Sequence, residues 1–228
     1  DLIRLKKIIN DKKIIIIEDG AQSFGSSYKN KMSSNLSDIG CTSFFPSKPL
    51  GCYGDGGAIF VNQNKKFKEL SLLCRHGQIS RDDFRIVGKN SRLDAIQAAI
   101  LKVKLKYFDE EILKRNNIYK MYSDYINPEK FKVPFIERYN TSVFAQFTLK
   151  SDERSVIEAQ TNLTKNNIPS VRYYTKPIHK QKPYTSSQNA DKELPITNTL
   201  STTTISLPMH PYITKNEVIK ISKILNKV

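Results

Sequence analysis

The sequence contains no tryptophan and only 3 cysteines among its 228 residues. Cys41, Cys52 and Cys74 are odd in number and form no Cys-x-x-Cys pair, so neither a disulfide framework nor a cysteine-based zinc site is indicated. This cysteine usage favours a reducing, cytoplasmic setting, where thiols stay free.

Long hydrophobic segments are also missing. No uninterrupted apolar run exceeds that of Ile14–Ile17, which is too short to span a bilayer or to form the apolar region of a signal peptide. Hydrophobic residues make up 39% of the chain and charged residues 26%. This balance excludes an integral membrane protein, and the many Ile, Leu, Phe and Tyr residues exclude a highly charged disordered chain.

Acidic residues are scarce relative to basic ones, with 22 Asp and Glu against 37 Lys and Arg, which leaves a net charge of +15. Such a charge favours anionic partners, and phosphates, nucleic acid and acidic lipids all qualify. A nucleic-acid-binding module is one hypothesis, but the sequence carries no zinc-finger, RNA-recognition or helix-turn-helix signature. An excess of lysine is also typical of a Lys/Ile/Asn-rich proteome.

The first half of the chain predicts an α/β arrangement. The apolar spacing of Leu2–Asn10 is helical, and the β-branched run Lys13–Glu18 is typical of a parallel strand buried on both faces. Shorter strands and a helix are predicted after it, and then a long helix capped by Asn90 or Ser91 and interrupted near Tyr107. The shorter elements are strands Cys41–Phe45 and Ala58–Val61 and helix Lys65–Cys74.

The second half predicts a smaller α+β unit. The long helix ends before Asn127-Pro128, and residues 181–203, rich in Ser, Thr and Asn, are predicted as a loop or insertion. A capped amphipathic helix is predicted over Thr214–Val228. Between them, the pattern predicts strand Phe144–Leu149, helix Ser151–Asn166 and strand Ile168–Tyr173.

Polar residues follow the first predicted strand, with Asp19 and Gln22 three residues apart. In open α/β sheets, ligands bind beyond the carboxyl ends of the strands. A carboxylate there can pair with a cationic nitrogen of a ligand, and the amide can donate a hydrogen bond. The alternative is that Asp19 caps a helix, which is a common role for Asp after a strand.

A lysine stands in an unusual context at Ser43–Gly51. Lys48 precedes a proline, which disfavours helical backbone, and lies among apolar residues and glycines. An amine that loses its water of hydration is more readily neutral and therefore nucleophilic. A solvated surface lysine is the alternative, and the glycines of Gly51–Gly57 match neither dinucleotide-binding nor P-loop spacing.

Two further polar segments are candidates for binding. Asn90 and Arg92 lie near the start of the long predicted helix. Tyr173 and Tyr174 precede the basic stretch Lys176–Lys182, which has the residue types to stack a base and bind phosphate. A solvated loop explains that stretch equally well.

Read in order, the motifs Glu-Asp-x-Ala-Gln, Ser-Phe-x-x-x-Lys, Gly-Asp-Gly-Gly-Ala, Arg-His-Gly and Asn-x-Arg-x-Asp-x-x-Gln-Ala-Ala resemble one family. They are similar to those of the DegT/DnrJ/StrS sugar aminotransferases, which use pyridoxal 5'-phosphate and have the fold-type-I, aspartate aminotransferase-like architecture. The stretch Ser43–Ala58 is especially similar to the branch that aminates carbon 3 of a UDP-linked 3-keto-glucuronic acid sugar.

The resemblance implies roles around the cofactor. Lys48 would bind it covalently and move the proton between cofactor and substrate carbons, while Asp19 would pair with the pyridine nitrogen and keep it protonated. Gln22 would lie beside the ring and its phenolic oxygen, and Ser43 would bind the phosphate. Asn90 would reach that phosphate from the neighbouring subunit of a homodimer.

The resemblance also implies a substrate site. Arg92 corresponds to a sugar-site residue and suits a glucuronate carboxylate, because a guanidinium can bind a carboxylate through two hydrogen bonds. Tyr174 falls near the nucleotide sugar, although the family often has His-Tyr-Pro where this chain has Tyr-Tyr-Thr. Lysine at position 48 favours amino transfer over the dehydration performed by relatives with histidine there.

The family's usual N-terminal portion, which precedes the Glu-Asp-x-Ala-Gln strand, is almost wholly absent from the sequence. The chain is therefore predicted to be the C-terminal part of such an enzyme, with residues 1–105 as the remainder of the large domain and 106–228 as the small domain. The implied function is transfer of an amino group from glutamate to a UDP-linked keto sugar, in the cytoplasm, for bacterial surface polysaccharide. A non-catalytic fragment or regulatory relative of the family is the alternative.

Overall fold

A computed structural model describes residues 2–9, 14–184 and 194–228 and divides the chain into two units. The first comprises Asp1–Ile112 and Glu137–Ala145, and the second comprises Leu113–Ile136 and Gln146–Val228. Both contain helices and strands, so the predicted α/β class is confirmed. The domain division predicted after residue 105 stays a prediction.

The first unit is built on a three-stranded sheet of order β1-β4-β5, in which β1 and β4 are parallel and β4 and β5 antiparallel. Two smaller antiparallel sheets accompany it, of order β3-β2-β8 and β6-β7. The elements of this unit are α1 Leu2–Ile8, β1 Ile17–Asp19, β2 Ser27–Tyr28, β3 Lys31–Met32, β4 Ile39–Ser43, β5 Gly57–Phe60, α2 Asn64–Leu73, β6 Gln78–Ser80, β7 Asp83–Phe84, α3 Ala95–Leu105 and β8 Asn140–Thr141.

The first strand is shorter and more exposed than its sequence predicts. Only Ile17–Asp19 forms β1, while Lys13 lies outside the described residues. The prediction of burial on both faces is wrong, because Ile17 is 64% exposed. A parallel strand is buried only where other elements cover both faces of its sheet, and among the described residues β1 pairs with β4 alone.

An aromatic and aliphatic core joins the sheet to the helices of this unit. Phe24 stacks on Phe60 and Phe108 with ring centroids 5.9 Å apart in each pair and meets Phe44 edge-on at 6.0 Å. These rings adjoin a buried cluster that includes the residues directly after β4. Its members are Phe44, Leu50, Cys52, Leu101, Phe108 and Val143.

The long predicted helix begins later than expected. Asn90 and Ser91 do not cap it, since α3 starts at Ala95 and Asp94 occupies the N-cap position. Asn90 instead forms an antiparallel bridge with Arg75, which holds its backbone extended. The predicted break near Tyr107 is confirmed, because α3 ends at Leu105 and α4 spans Phe108–Tyr125.

The second unit pairs two antiparallel strands, β9 and β10, with several helices. Helix α5 buries Val156, Ala159 and Leu163. The predicted C-terminal helix is confirmed as α7, which begins with a capping box between Thr214 and Glu217. The elements are β9 Phe147–Lys150, α5 Glu153–Lys165, short 3-10 turns at Ile178–Lys180 and Lys182–Tyr184, α6 Pro195–Thr203, β10 Thr204–Leu207 and α7 Lys215–Leu225.

Two predictions for this unit are wrong. Ile168–Tyr173 is not a strand; Val171 alone bridges to Ser206. Part of the predicted 181–203 loop is helix α6, which Pro195 starts because its fixed φ and missing N–H suit the first turn of a helix. Residues 185–193 of that prediction lie outside the described residues. No helix in the described ranges is long and apolar enough to cross a membrane.

Candidate active site

The candidate site lies at the carboxyl ends of β1 and β4. The parallel register pairs Asp19, the last residue of β1, with Cys41, two residues before Ser43 ends β4. Backbone and side-chain hydrogen bonds hold the strand ends together, from Gly20 N to Cys41 O at 2.7 Å and from Thr42 Oγ1 to Gly20 O at 3.2 Å. The strand ends that carry Asp19 and Ser43 are therefore fixed neighbours.

Glu18 anchors the segment that underlies this edge. Its carboxylate accepts hydrogen bonds from Ser33 Oγ at 2.9 Å, Ser34 N at 2.7 Å and Leu36 N at 3.1 Å. Space beside it is limited, since a Cβ on Gly40 would lie 1.9 Å from Ser34 O. Glu18 is thus engaged with the fold, which leaves Asp19 as the acid available to a ligand. From the sequence, no role in the site is assigned to Glu18. Its position directly before Asp19 is the only feature of the sequence that could have indicated one.

The Asp19 side chain is exposed and does not cap a helix. Its Oδ1 accepts a hydrogen bond from Ala21 N at 3.0 Å, and residues 21–25 form turns rather than a helix. The helix-cap alternative is therefore wrong. Asp19 and Cys41 are register partners on neighbouring parallel strands, so their side chains lie on the same face of the sheet. Burial, and after it the negative charge of Asp19, raises the pKa of the Cys41 thiol. Gln22 is exposed in the turn that follows.

Ser43 and Lys48 lie on the segment after β4. Ser43 Oγ accepts a hydrogen bond from Phe45 N at 3.2 Å, and Lys48 N donates to Phe45 O at 2.9 Å, which closes a turn with the half-buried Lys48 in it. The next residues, Pro49 and Leu50, are buried. The lysine is thus held by a packed segment and is not carried on a free surface loop.

Asn90 and Arg92 are brought together. Arg92 Nε donates a hydrogen bond to Asn90 Oδ1 at 3.0 Å, and both side chains are exposed. An exposed guanidinium held by a neighbouring amide is available to an anionic ligand.

Tyr174 belongs to the second unit, whereas the other predicted site residues belong to the first. Its ring meets that of Tyr173 edge-on at 5.3 Å, and both are exposed. Among the basic residues that follow, Lys176, Lys180 and Lys182 are exposed too. This segment therefore presents two rings and several cations to solvent.

The first unit thus places a carboxylate, a hydroxyl and a primary amine on the ends of two adjacent strands and the segment after them. A carboxylate can pair with a ring cation, a hydroxyl can bind a phosphate oxygen, and an amine can attack a carbonyl carbon. In the described part of the chain, no group of three or more His, Cys, Asp or Glu side chains could hold a metal ion. The arrangement suits an organic cofactor that carries a carbonyl and a phosphate.

Comparison with known proteins gives one consistent result. The model of the DegT/DnrJ/EryC1/StrS aminotransferase family matches residues 1–226. The chain is 45% identical over 213 residues to the UDP-2-acetamido-2-deoxy-3-oxo-D-glucuronate aminotransferase of Pseudomonas aeruginosa, which covers 93% of this chain and 58% of that enzyme. It is 31% identical over 214 residues to the pleiotropic regulatory protein of Geobacillus stearothermophilus, covering 92% of this chain and 57% of the relative.

A solved structure supports the same relationship. The DegT DnrJ EryC1 StrS aminotransferase from Brucella abortus superposes with a TM-score of 0.90 at 36% identity, covering 100% of this chain and 60% of that one. The chain therefore spans less than two thirds of the length of the proteins that it matches.

Proposed function

Because the chain belongs to the DegT/DnrJ/EryC1/StrS aminotransferase family, as its motifs predicted, we propose that it forms the C-terminal part of a nucleotide-sugar aminotransferase. The observation that carries the proposal is the juxtaposition of Asp19, Ser43 and Lys48 at one edge of the sheet. The protein would transfer an amino group from glutamate to a keto group of a sugar linked to a nucleotide.

The residues of this edge fit pyridoxal 5'-phosphate, on which members of the family depend. Asp19 would pair with the pyridine nitrogen, Gln22 would lie beside the ring, Ser43 would hold the phosphate, and the Lys48 amine would bind the aldehyde carbon covalently. The bound cofactor supplies an electron sink for the carbon from which a proton is removed.

The side chains of the proposed site would have different roles, which follow from their charge and position. The exposed Asp19 carboxylate, which accepts a hydrogen bond from Ala21 N, would place an acceptor for a ring N–H at the strand end. The Lys48 amine, carried on a packed segment, would act as the base that takes and returns a proton within the site. Asn90 would reach the cofactor phosphate in a second subunit and Arg92 would bind the sugar, so the proposed enzyme is a homodimer with shared active sites.

The sugar is proposed to be a UDP-linked 3-keto-glucuronate. Support comes from the 45% identity to an enzyme named for that class of substrate and from the exposed guanidinium of Arg92, held by Asn90. The amino sugar would then serve bacterial surface polysaccharide such as the O-antigen of lipopolysaccharide, made in the cytoplasm.

The test is a labelling experiment on the full-length protein. Loaded with pyridoxal 5'-phosphate, it should be yellow, and borohydride reduction followed by peptide mapping should place the pyridoxyl group on Lys48. Lys48→Ala should lose the colour and the label together, whereas Lys102→Ala, an exposed lysine on α3, should keep both. A label on any other lysine would end the assignment.

The substrate proposal has its own test. Arg92→Ala should weaken binding of the acidic keto sugar at least tenfold, since a hydrogen bond between charged groups contributes about 1.5–3 kcal/mol and 1.4 kcal/mol corresponds to a factor of ten. The glutamate half-reaction should change less. If the wild type prefers a keto sugar with a methyl group in place of the carboxylate and Arg92→Ala changes nothing, the glucuronate proposal is wrong.

A regulatory relative is the second candidate, and the likeness to the pleiotropic regulatory protein favours it. It predicts a colourless protein and no label on Lys48, so the same reduction experiment separates the two candidates.

A further inference from the structure

The segment that carries Lys48 folds back on itself between β4 and β5. Phe44 N donates to Gly56 O and Cys52 N donates to Phe44 O, each at 2.8 Å, so the two ends and the middle of the segment meet at Phe44. The Cys52 thiol is fully buried and lies 3.0 Å from both Phe44 O and Gly54 O. The segment therefore has a single compact path, although it contains several glycines.

Two side chains of α3 fasten this segment from outside. Gln97 Oε1 accepts a hydrogen bond from Tyr53 N at 2.8 Å, and Lys104 Nζ donates to Gly51 O. The two residues are seven positions apart, or about two helical turns, so they lie on one face of α3. One face of α3 thus contacts the backbone at Gly51 and at Tyr53, which follow Lys48 by three and five residues.

Among the residues that the structure describes, no carboxylate lies within 4.0 Å of the Lys104 ammonium, so its hydrogen bond is to a backbone carbonyl. The Lys104 ammonium lies 5.9 Å from the centre of the Tyr53 ring and is partly buried against Gly51 O. A cation that gives up water for a backbone carbonyl stabilises that carbonyl's position more strongly than a neutral donor does.

We propose that Gln97 and Lys104 are positioning residues, which hold the segment so that the Lys48 amine stays directed at the cofactor. The inference rests on the proposed role of Lys48 and extends it to two residues of α3 whose side chains contact the backbone of the segment. Gly51 packs against the backbone of Phe45 and Pro46, in the turn that precedes Lys48, and its carbonyl is the group that Lys104 holds. Releasing Gly51 O or Tyr53 N allows the turn at Lys48 to move.

The experiment compares matched variants of the full-length protein. Gln97→Leu and Lys104→Met keep side-chain bulk and remove the acceptor and the donor, respectively. Gln97→Glu and Lys104→Arg restore those groups, and Lys102→Met is the control on the exposed side of α3. The first readout is the rate at which pyridoxal 5'-phosphate becomes fixed on Lys48 under borohydride, without substrate.

Both disruptive variants should label Lys48 about fivefold more slowly, or worse, a factor that corresponds to about 1 kcal/mol. Gln97→Glu, Lys104→Arg and Lys102→Met should stay near the wild-type rate. If the wild type labels Lys48 and the disruptive variants label it equally fast, the positioning inference is wrong and the proposed function stands.

The second readout needs no cofactor. Alkylation of buried Cys52, measured relative to Cys74 in the same cofactor-free sample, should rise about fivefold in Gln97→Leu and Lys104→Met. It should not rise in the three other variants. If Cys52 alkylation rises in the two disruptive variants but the wild type never labels Lys48, the proposed function is wrong. The proposal that Lys48 is positioned for a cofactor is then wrong too. If the ratio of Cys52 to Cys74 alkylation is unchanged in Gln97→Leu and Lys104→Met, the two side chains do not hold the segment and the positioning inference is wrong.

Discussion

The backbone path beside Lys48 depends on a residue without a side chain at Gly51. A Cβ there would lie 2.6 Å from Pro46 O and 2.7 Å from Phe45 O, both backbone atoms of the turn that precedes Lys48. Backbone atoms cannot rotate away as the end of a side chain can. At Gly54 the corresponding distance is 3.3 Å, to the side-chain amide of Gln97.

We therefore expect Gly51→Ala to lower the free energy of unfolding by about 1–3 kcal/mol, the usual cost of overpacking. Gly54→Ala should cost less, because the Gln97 side chain can shift by a few tenths of an ångström. Urea unfolding of both variants beside the wild type measures the difference. Equal losses would mean that the close approach at Gly51 is not what constrains the segment.

A buried phenol in the second unit provides a pH-dependent test at the same scale. Tyr122 is fully buried, its hydroxyl donates to Pro208 O at 3.1 Å, and its ring stacks on Phe147 at 4.8 Å. Burial, and after it the charge of Glu217, raises the pKa of Tyr122 well above the ordinary value for tyrosine.

A group whose pKa is raised by folding contributes stability below its unfolded pKa, and this contribution is lost as pH rises. The wild type should therefore lose stability above about pH 10, where unfolded tyrosine ionises. Tyr122→Phe should lose the hydrogen bond, about 1 kcal/mol, at neutral pH but lack this alkaline loss. The difference between the two unfolding free energies should shrink from pH 9 to 11. A constant difference would exclude Tyr122 as the titrating group.

At the scale of elements, helix α5 shows how a cap and a buried face define a helix and contribute to its stability. Asp152 caps it by accepting a hydrogen bond from Ser155 N at 2.9 Å, and the bonds from Ser155 hold the pKa of that carboxyl below its usual range. Predicted from Ser151 to Asn166, the helix runs from Glu153 to Lys165. A local cap and an amphipathic face suffice to predict such an element, because both are properties of neighbouring residues.

The buried face of α5 should dominate its contribution to stability. Leu163 is 0% exposed, whereas Ile157 on the same helix is 50% exposed. Leu163→Ala should cost about 2–5 kcal/mol, since it removes contacts and leaves a cavity. Ile157→Ala should stay close to the wild type, within about 0.5 kcal/mol. Thermal unfolding of the two variants tests this, and a larger loss at Ile157 would contradict the packing of α5.

At the scale of the whole molecule, large apolar side chains remain uncovered in the first unit. Val87 is 96% exposed and Ile96, near the start of α3, is 73% exposed. They flank the segment that holds Asn90 and Arg92. Exposed apolar groups beside proposed site residues support the proposed homodimer with shared sites, because apolar surface favours association.

Complementation tests that assembly. Full-length Lys48→Ala and Asn90→Ala variants should each lose most amino transfer, but their co-expression should restore activity toward roughly a quarter of the wild-type value. Half of the dimers would be mixed, and each mixed dimer would hold one intact site. Co-expressed Lys48→Ala and Lys48→Arg serve as the control, since no combination of them provides an intact site. Activity no higher than that of the parents would indicate that Asn90 acts within its own subunit.

The sequence by itself determined the family, the order of most helices and strands, and the residues around which the site is proposed. These follow from local properties: a periodic apolar face, a capping residue such as Thr214, and short motifs such as that of Asp19 and Gln22. Only the tertiary structure decided that Asn90 is held extended by Arg75 and that the predicted buried strand is exposed at Ile17. Each of those outcomes depends on which distant segment pairs with or covers a residue, and local pattern carries no information about that partner. The contacts of Gln97 and Lys104 are of the same kind, because a hydrogen bond to a backbone atom 44 or 53 positions away leaves no mark in the spacing of side chains.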